Sequence, residues 1–434
     1  NKLDIVTPAT STGGRLHEAA PHDSAIKQVA GRADYVDDLT EPEGTLHAYL
    51  GLSTKARAEI ASIDLSAVRA APGVVGVLTA EDVPGENDVS SVHKHDEPVF
   101  PETGVSYWGQ PIFAVIGVTR DAARRAAKLV KIEYRELPHV TSVADSLKAG
   151  GALVTEPMSL ERGDVEAGLA VSEHRAKGKV TIGGQEHFYL ESQVALAIPG
   201  EDDEVTLHVS TQHPTEIQVM VAQVLGIPHA AVTVNMRRMG GGFGGKETQG
   251  NLFAAIAALA AKRFGRAVKI RPDRDDDFSI TGKRHDFVVD YDVGYNSDGR
   301  IQAVAATFAA RSGFSADLSG PVTDRALFHA DNAYWYPAVR LNSLPLHTNT
   351  VSNTAFRGFG GPQGIIGCER WIEHIAYALG KDPLEIRKAN FYGTDSNNIT
   401  PYHQKVEDNI VHRIVDELER ISDYQARRQA VVAF

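Results

Sequence analysis

The sequence predicts a protein of the α+β class, with two folded parts after a polar N-terminal arm. Three observations predict this organisation. The chain has 434 residues, which is too long for one ordinary hydrophobic core. Short extended segments alternate with segments of helical periodicity, and the glycine-rich stretch 148–153 indicates a boundary. We therefore expect an arm over residues 1–24, a first domain over 25–141 and a second domain over 142–434.

Each predicted element rests on its own periodicity. In the first part, apolar alternation predicts strands at 46–52, 74–78, 112–118 and 129–134, and a helix at 122–128. In the second part, strands are predicted at 205–210, 267–271, 286–295 and 300–310, the last two joined by the hairpin signal Asn-Ser-Asp-Gly at 296–299. Helices are predicted at 216–225, 248–263, 364–379 and 409–430.

The composition narrows the possible partners. The 44 basic and 56 acidic residues give a net charge of −12, which argues against a nucleic-acid partner held through its phosphates. No apolar run reaches membrane-spanning length, and the first residues do not form a signal peptide, so we expect a cytoplasmic protein with no membrane partner. Cys368 is the only cysteine and cannot by itself hold an iron–sulfur cluster or form an internal disulfide.

The most informative segment is Met239 to Glu247, which reads MGGGFGGKE. Glycines let the backbone approach a ligand closely and adopt positive φ, so that successive N–H groups can turn toward one anion. The segment follows the β-branched run 231–234 and precedes a helical pattern. It is therefore predicted to be a strand-to-helix turn, which is a favourable anion site.

Two other interpretations of this segment stay open on the residues alone. Gly240, Gly242 and Gly245 satisfy the G-x-G-x-x-G pattern of a dinucleotide-binding fold, and Asp273 lies after the next predicted strand. A purely structural glycine turn is the other.

A second glycine-rich turn, Ala355 to Gln363 (AFRGFGGPQ), again follows an extended run and precedes a helix. Two such turns, each with a phenylalanine, indicate one ligand held from two sides. A dinucleotide fold needs only one.

Five segments occur in the order and spacing of the molybdenum hydroxylases. They are GGQEHFYLE at 183–191, STQ at 210–212, GGGFGGKE at 240–247, RALFH at 325–329 and AFRGFGGPQ at 355–363. From about residue 27 to its end, the chain resembles the molybdopterin-binding region of the xanthine dehydrogenase family. The resemblance implies a hammerhead α/β domain over 25–141 and the first molybdenum-cofactor-binding domain over 142–434.

The resemblance also implies a larger assembly. Because it stops at residue 434 with the second cofactor domain still to come, we expect this chain to be one piece of a catalytic unit. The implied cofactor is molybdenum–molybdopterin, shared with a C-terminal polypeptide, while 2Fe-2S clusters and FAD lie on partner chains and the assembled unit is a dimer. The implied reaction is the oxidative hydroxylation of hypoxanthine and xanthine to urate. Its general base is a glutamate expected outside this chain.

For the cofactor, the resemblance implies contacts from Gln212, Gly242, Phe243, Gly244 and Arg357. The Gln212 amide and the Phe243 backbone N–H are expected near the molybdenum, with no direct protein ligand to the metal. Without the resemblance, an amide tied into a turn would be the favoured interpretation of Gln212.

For the substrate, the resemblance implies three residues. Phe359 stacks on a flat heterocycle, Glu247 accepts from ring N–H groups, and Arg325 donates to a carbonyl oxygen that becomes negative during reaction. Glu247 and Arg325 are therefore the predicted catalytic pair. Because aldehyde oxidases share the glycine turns but lack this pair, the pair favours a purine substrate over an aldehyde. Lys246 is predicted either to neutralise Glu247 or to bind a phosphate.

The histidines carry no assigned role. His93 and His95 form His-Lys-His beside Asp96, and a solvated loop is favoured over a zinc site because no second cluster accompanies them. His187, within QEHFYLE, is expected to be an interior histidine.

Overall fold

The computed structural model describes residue 19, residues 21–92 and residues 94–434. It confirms the predicted α+β class. The helices are α1 Ala25–Val29, α2 Ser66–Arg69, α3 Arg120–Ala127, α4 Val143–Lys148, α5 Val165–Val171, α6 Pro214–Leu225, α7 Gly250–Phe264, α8 Arg274–Ile280, α9 Ser319–Phe328, α10 Gly361–Leu379, α11 Pro383–Asn390, α12 Val411–Ile421 and α13 Tyr424–Ala433. The strands are β1 Leu46–Leu52, β2 Ala58–Asp64, β3 Val74–Leu78, β4 Gly104–Val105, β5 Pro111–Gly117, β6 Lys131–Glu136, β7 Ser159–Arg162, β8 His174–Ile182, β9 Ala195–Pro199, β10 Val205–Val209, β11 Val232–Asn235, β12 Val268–Ile270, β13 Phe287–Tyr295, β14 Ile301–Gly313 and β15 Ala338–His347.

The largest sheet has seven strands in the order β11-β10-β9-β12-β1-β5-β3. Strands β1 and β12 pair in parallel, with Leu46 opposite Val268, so the sheet draws strands from both sides of residue 141. Helix α7 packs against it, and all residues from Phe253 to Ala261 are buried. A helix that is apolar on all sides is stable only in a core. This packing fixes the N-terminal end of α7, where the first glycine turn arrives.

A second sheet has five strands in the order β7-β15-β14-β13-β8. Helices α9 and α10 pack against it around the fully buried Trp371. The predicted hairpin between β13 and β14 is confirmed, and Gly299 takes the positive φ of +86° that its turn needs. The second glycine turn connects β15 of this sheet to α10. The strands β4-β2-β6 form a small third sheet.

The observed helices differ from the predicted ones by up to three residues at their ends, and two of the differences have a clear cause in the structure. The helix predicted at 409–430 is divided into α12 and α13, because Asp423 adopts a left-handed conformation with φ +49°. The helix predicted from residue 248 begins at Gly250, because the side chains of Thr248 and Gln249 donate to the buried Asp317 instead. In the described part of the chain, none of the helices combines the length and apolar content needed to cross a bilayer.

Candidate functional site

The two glycine turns, which we call the first loop (residues 239–247) and the second loop (residues 355–363), are in direct backbone contact. The N–H of Arg357 donates to the carbonyl oxygen of Phe243 at 2.9 Å. A Cβ atom at Gly244 would lie 2.7 Å from both the carbonyl carbon and the oxygen of Ala355, and Gly244 has φ +100°. Only glycine fits this approach. The structure thus brings together two segments that lie more than a hundred residues apart.

A cleft of about 270 Å³ opens where the loops meet. It is lined by Gln212, Phe243, Gly244, Glu247, Ala355, Phe356, Arg357, Gly358 and Phe359. Six of the eight residues predicted for the site are in this lining. The other two are Gly242, which lies behind Gln212, and Arg325, which lies on α9.

The Gln212 side chain is held in one orientation. Its Oε1 accepts from the N–H of Gly244 at 2.8 Å and from the N–H of Lys246 at 3.4 Å. Its own backbone N–H donates to the carbonyl oxygen of Lys246 at 2.7 Å. Because Oε1 is used by the loop, Nε2 remains as a donor at the cleft, and it donates to no residue in the described part of the chain. The Gln212 oxygen is therefore tied into a turn, while the predicted contact of its nitrogen with a cofactor stays a prediction.

Gly242 is required by this arrangement, since a Cβ atom there would lie 2.5 Å from Oε1 of Gln212. The φ angle of Gly242 is not positive, so a glycine is needed here because of the close approach of Gln212 and not because of backbone conformation. The backbone N–H groups of Gly241, Gly242 and Phe243 donate to no described residue. They are a row of free donors beside the Gln212 amide, which suits an anionic or oxygen-rich ligand.

Both loop phenylalanines are in the left-handed region, with φ +54° at Phe243 and +51° at Phe359. Residues other than glycine, asparagine and aspartate rarely adopt this conformation. Those that do are concentrated at functional sites. The Phe243 ring is 46% exposed and Phe359 is half-buried. Among the described residues, no aromatic ring stacks against either one. A phenylalanine between glycines carries no sequence signal for a positive φ, so the residue pattern did not indicate this strain.

Glu247 lies in the cleft wall with no hydrogen-bond donor among the described residues. It is half-buried, and burial raises the pKa of its carboxyl group; His213 opposes this rise and Glu216 adds to it. Glu247 precedes α7, which begins three residues later at Gly250. Its carboxylate therefore has no structural role at the helix N-terminus.

Arg325 is exposed on α9 and does not line the cleft. It is nevertheless close to the second loop, since a Cβ atom at Gly360 would overlap the carbonyl oxygen of Val322, one helical turn before Arg325. Its guanidinium pairs with no carboxylate in the part of the chain that the structure describes. Among the described residues, neither the Glu247 carboxylate nor the Arg325 guanidinium has an ion-pair partner; Glu247 lines the cleft, and Arg325 lies on the helix that packs against the second loop.

Neither prediction for Lys246 is correct. Its Nζ points away from the cleft and donates to the carbonyl oxygen of Glu191 and to Oγ of Ser210, both at 2.7 Å. The side chain is fully buried and lies 4.6 Å from the ring centre of Tyr189. Burial lowers the pKa of Lys246 to about 8, although the nearby carboxylate of Glu191 raises it.

His187 is an interior histidine, as predicted, but it also joins the loops. Its Nε2 lies 2.7 Å from the carbonyl oxygen of Ala355, and a Cβ atom at Gly245 would lie 2.6 Å from its ring. Burial lowers the pKa of His187 to about 4. The buried Asp317 is a second link that the sequence did not indicate, because it accepts from Thr248 beside the first loop and from Thr354 beside the second.

The dinucleotide interpretation is wrong. In that fold, the strands on either side of the crossover helix are neighbours in a parallel sheet. Here β11 and β12 are separated by β10 and β9. Asp273, which follows β12 as the pattern requires, is instead paired with Arg120 and Arg124.

The histidine cluster shows no metal site among the residues described. His93 falls outside them. His95 lies 3.5 Å from Asp88 and 3.9 Å from Glu86, and the described residues contain no group of three or more histidine, cysteine or acidic side chains able to hold a metal ion.

Comparison with known proteins agrees with this geometry. Residues 150–391 match the family described as the molybdopterin cofactor-binding domain, and residues 30–138 match the aldehyde oxidase and xanthine dehydrogenase a/b hammerhead domain. The chain is 42% identical to xanthine dehydrogenase of Oryza sativa subsp. japonica over 99% of its own length and 31% of the relative. It is 44% identical to xanthine dehydrogenase of Dictyostelium discoideum over 95% of its own length and 30% of the relative.

A solved structure, the aldehyde oxidoreductase of Desulfovibrio gigas, superimposes with a TM-score of 0.85 at 27% identity, over 94% of this chain and 46% of that one. The chain spans just under a third of the length of the curated relatives named above. The cofactor-domain match alone covers more than half of the chain and includes both glycine loops. This chain therefore belongs to the xanthine dehydrogenase and aldehyde oxidase family of molybdenum hydroxylases and carries its molybdopterin cofactor-binding domain.

Proposed function

We propose that this chain holds the molybdenum–molybdopterin cofactor at the cleft between its two loops, as part of an enzyme that hydroxylates hypoxanthine and xanthine to urate. The observation that carries the proposal is the convergence on one cleft of the Gln212 amide donor, the Glu247 carboxylate and the half-buried Phe359, of which the first two have no partner among the described residues. Residues more than a hundred positions apart supply them, and they leave one ligand-sized space.

The residues present fit a cofactor that carries oxo and phosphate oxygens. Such a group needs donors, and the cleft offers Nε2 of Gln212 and the free N–H groups of Gly242 and Phe243. The exposed guanidinium of Arg357 adds a positive charge beside them. When bound, the cofactor supplies the hydroxylating oxygen and accepts two electrons.

The chain's own residues then bind and orient a flat heterocycle. Phe359 offers a ring that no described aromatic group covers, and the heterocycle stacks on it. Glu247 accepts from ring N–H groups in its ionised form. Since burial raises the pKa of its carboxyl group, Glu247 also retains a proton at higher pH than an exposed glutamate does.

Arg325 completes this arrangement from α9. Its fork of N–H donors is directed at a carbonyl oxygen of the purine, and negative charge collects on that oxygen as the reaction proceeds. The interaction strengthens toward the transition state and so accelerates the reaction. No carboxylate of this chain is given the role of general base, which the family resemblance places on the C-terminal polypeptide.

The electrons have to leave through other chains. Cys368, the only cysteine, is fully buried, and burial raises the pKa of its thiol well above the usual value. A buried neutral thiol is a poor cluster ligand. The proposal therefore includes 2Fe-2S clusters and FAD on partner chains, a C-terminal cofactor-domain polypeptide, a dimeric assembly and a cytoplasmic location.

An aldehyde-oxidising molybdenum hydroxylase is the second candidate, favoured by the close structural match to the aldehyde oxidoreductase of Desulfovibrio gigas. Glu247 and Arg325 separate the two candidates, because an aldehyde needs neither a ring N–H acceptor nor a forked donor. A non-catalytic assembly piece is a third possibility, and it gives no reason for unpaired charges beside the cleft.

The test uses Arg325→Met and Glu247→Val in the assembled protein. A charge-assisted hydrogen bond contributes about 1.5–3 kcal/mol, so each change should lower kcat for xanthine by roughly ten- to a hundredfold. Arg413→Met, at an exposed arginine on α12, is the matched control and should leave kcat unchanged. The double variant should keep its molybdenum and gain relative activity on aldehydes. Parental turnover of xanthine by the double variant would remove the main support for a purine substrate.

A further inference from the structure

The segment behind the first loop contains a buried ion pair, Glu191 with Lys246, that the proposed reaction does not use directly. The Glu191 carboxylate accepts from Oγ of Ser210 at 2.7 Å, from the N–H of Gly240 at 2.8 Å and from the N–H of Val36 at 3.0 Å. Its backbone also bonds Gly240, with its N–H donating to the Gly240 carbonyl at 3.2 Å. One side chain therefore ties the start of the first loop to the end of β10 and to residue 36.

Lys246 closes the other end of the same loop. Its Nζ is 2.7 Å from both the Glu191 carbonyl oxygen and Ser210 Oγ, and 3.7 Å from the Glu191 carboxylate. Its backbone carbonyl accepts from the N–H of Gln212 at 2.7 Å and from Oγ1 of Thr211 at 3.2 Å. The side chain and the main chain of Lys246 thus form hydrogen bonds with three consecutive residues, 210 to 212.

These contacts form a continuous hydrogen-bond network that includes the Gln212 amide. The first loop leaves Glu191 at Gly240 and returns to it at Lys246, and the N–H groups of Gly244 and Lys246 within that return fix Oε1 of Gln212. If the return shifted, Oε1 would lose its donors and the amide could rotate. Its Nε2 would then no longer be held toward the cleft.

The hydrogen bonds and charges of Glu191 and Lys246 indicate that the pair positions the first loop and does more than fill space in the core. An aliphatic side chain would fill the space beside the Tyr189 ring, but it would leave the Glu191 carbonyl oxygen without its Lys246 donor and the Glu191 carboxylate without the positive charge of Lys246. A buried charge is tolerated only when it is paired and hydrogen-bonded, so keeping a lysine here selects one geometry of the loop. Lys246 does not line the cleft, and it therefore acts on a ligand only through the residues it holds.

We propose that Glu191 and Lys246 are positioning residues of this site, whose buried pairing sets the first loop so that the Gln212 amide donates into the cleft. The inference rests on the proposed function for its catalytic consequence. Its structural content concerns the loop alone and is measurable without turnover.

The experiment compares Lys246→Met, Glu191→Gln and the conservative Lys246→Arg in the assembled protein, with Lys148→Met, at an exposed lysine on α4, as control. The first readout is hydrogen–deuterium exchange of peptides covering 240–249. In Lys246→Met and Glu191→Gln, the amides of Gly244 and Lys246 should exchange about tenfold faster or more, while peptides from the five-stranded sheet stay unchanged. Lys246→Arg should restore part of the protection, and the control should match the parent.

The second readout is kcat and KM for xanthine per bound molybdenum. A misplaced amide should lower kcat by about tenfold or more, while KM changes little, because Glu247, Arg325 and Phe359 are untouched. Unchanged exchange at 240–249, or a rise in exchange spread equally over the whole chain, would overturn the proposal, as would an unchanged kcat per molybdenum. If the parent itself fails to hydroxylate xanthine, the proposed function fails, while the exchange data still decide the role of the pair.

Discussion

A substitution at Gly244 tests the contact between the two loops most directly. Gly244 has φ +100°, and a Cβ atom there would lie 2.7 Å from the carbonyl carbon and oxygen of Ala355 and 3.0 Å from the backbone nitrogen of Phe356. All three atoms are backbone, so they cannot move aside as a flexible side chain would. Gly244→Ala must therefore separate the loops or distort one of them.

Two other glycines serve as controls, because they separate the backbone and packing contributions to the loss of unfolding free energy in Gly244→Ala. Gly183→Ala introduces a methyl group where no atom lies within 4 Å and φ is not positive, so it should change the free energy of unfolding by less than about 0.5 kcal/mol. Gly265→Ala has φ +60° with no atom within 4 Å, so it isolates the backbone penalty, about 1–2 kcal/mol. Gly244→Ala adds overpacking of about 1–3 kcal/mol, which gives a total of about 2–5 kcal/mol.

The assay is chemical unfolding together with molybdenum content measured by mass spectrometry. The expected order of stability is Gly183→Ala, then Gly265→Ala, then Gly244→Ala, and only the last should lose molybdenum. If Gly244→Ala were as stable as Gly265→Ala and kept its full molybdenum content, the contact between the loops would not be needed to hold the cofactor.

The remaining predictions concern pH, metals and substrate. Burial holds the pKa of His187 at about 4, below the 6.5 of an exposed histidine; the unfolded chain therefore takes up a proton first as pH falls, and stability is lost from about pH 6.5 down through pH 4. His187→Gln keeps a donor for the Ala355 carbonyl oxygen and removes this titration. Between pH 6.5 and pH 4, the unfolding free energy of the variant should therefore fall by ~3 kcal/mol less than that of the parent protein. Identical pH profiles of the two proteins in urea titrations would contradict the lowered pKa of His187. When the assembly is dissociated, iron should partition with a partner chain because Cys368 is the only thiol here, and stoichiometric iron–sulfur absorbance on this chain would refute that. This chain alone, even when loaded with cofactor, should not hydroxylate purines, since the base is expected elsewhere; turnover by the isolated chain would overturn this. Arg325→Met should lower kcat for xanthine more than it raises KM, and a change in KM alone would mean that Arg325 only binds the ground state.

The elements that the sequence predicts well are those with a local signal. Strands β1 and β3 have the predicted bounds, because alternating apolar residues are their cause as well as their signature. The division between α12 and α13 had no such signal, because a left-handed aspartate at position 423 replaces the glycine that usually ends a helix. The joining of β1 to β12 across more than two hundred residues is a tertiary event that no local pattern encodes.

The same distinction applies to the site. Both loops were located from their glycines, and the family resemblance named six residues that the structure gathers in one cleft. The direction of a side chain is decided by packing, which is why Lys246 was predicted toward a ligand and is found buried against Glu191. Asp317 was missed for the same reason, since a lone aspartate carries no mark of the threonines that will donate to it. The predicted boundary at residue 141 stays a prediction.

The most direct test of the central claim is to locate the metal in a crystal of the assembled protein by anomalous diffraction at the molybdenum edge. The account predicts one strong peak in the cleft between the loops, with Nε2 of Gln212 directed toward an oxygen of the bound group and Phe359 on the substrate side. A molybdenum peak remote from both loops, or fully occupied protein with Gln212 turned away from the metal, would contradict it.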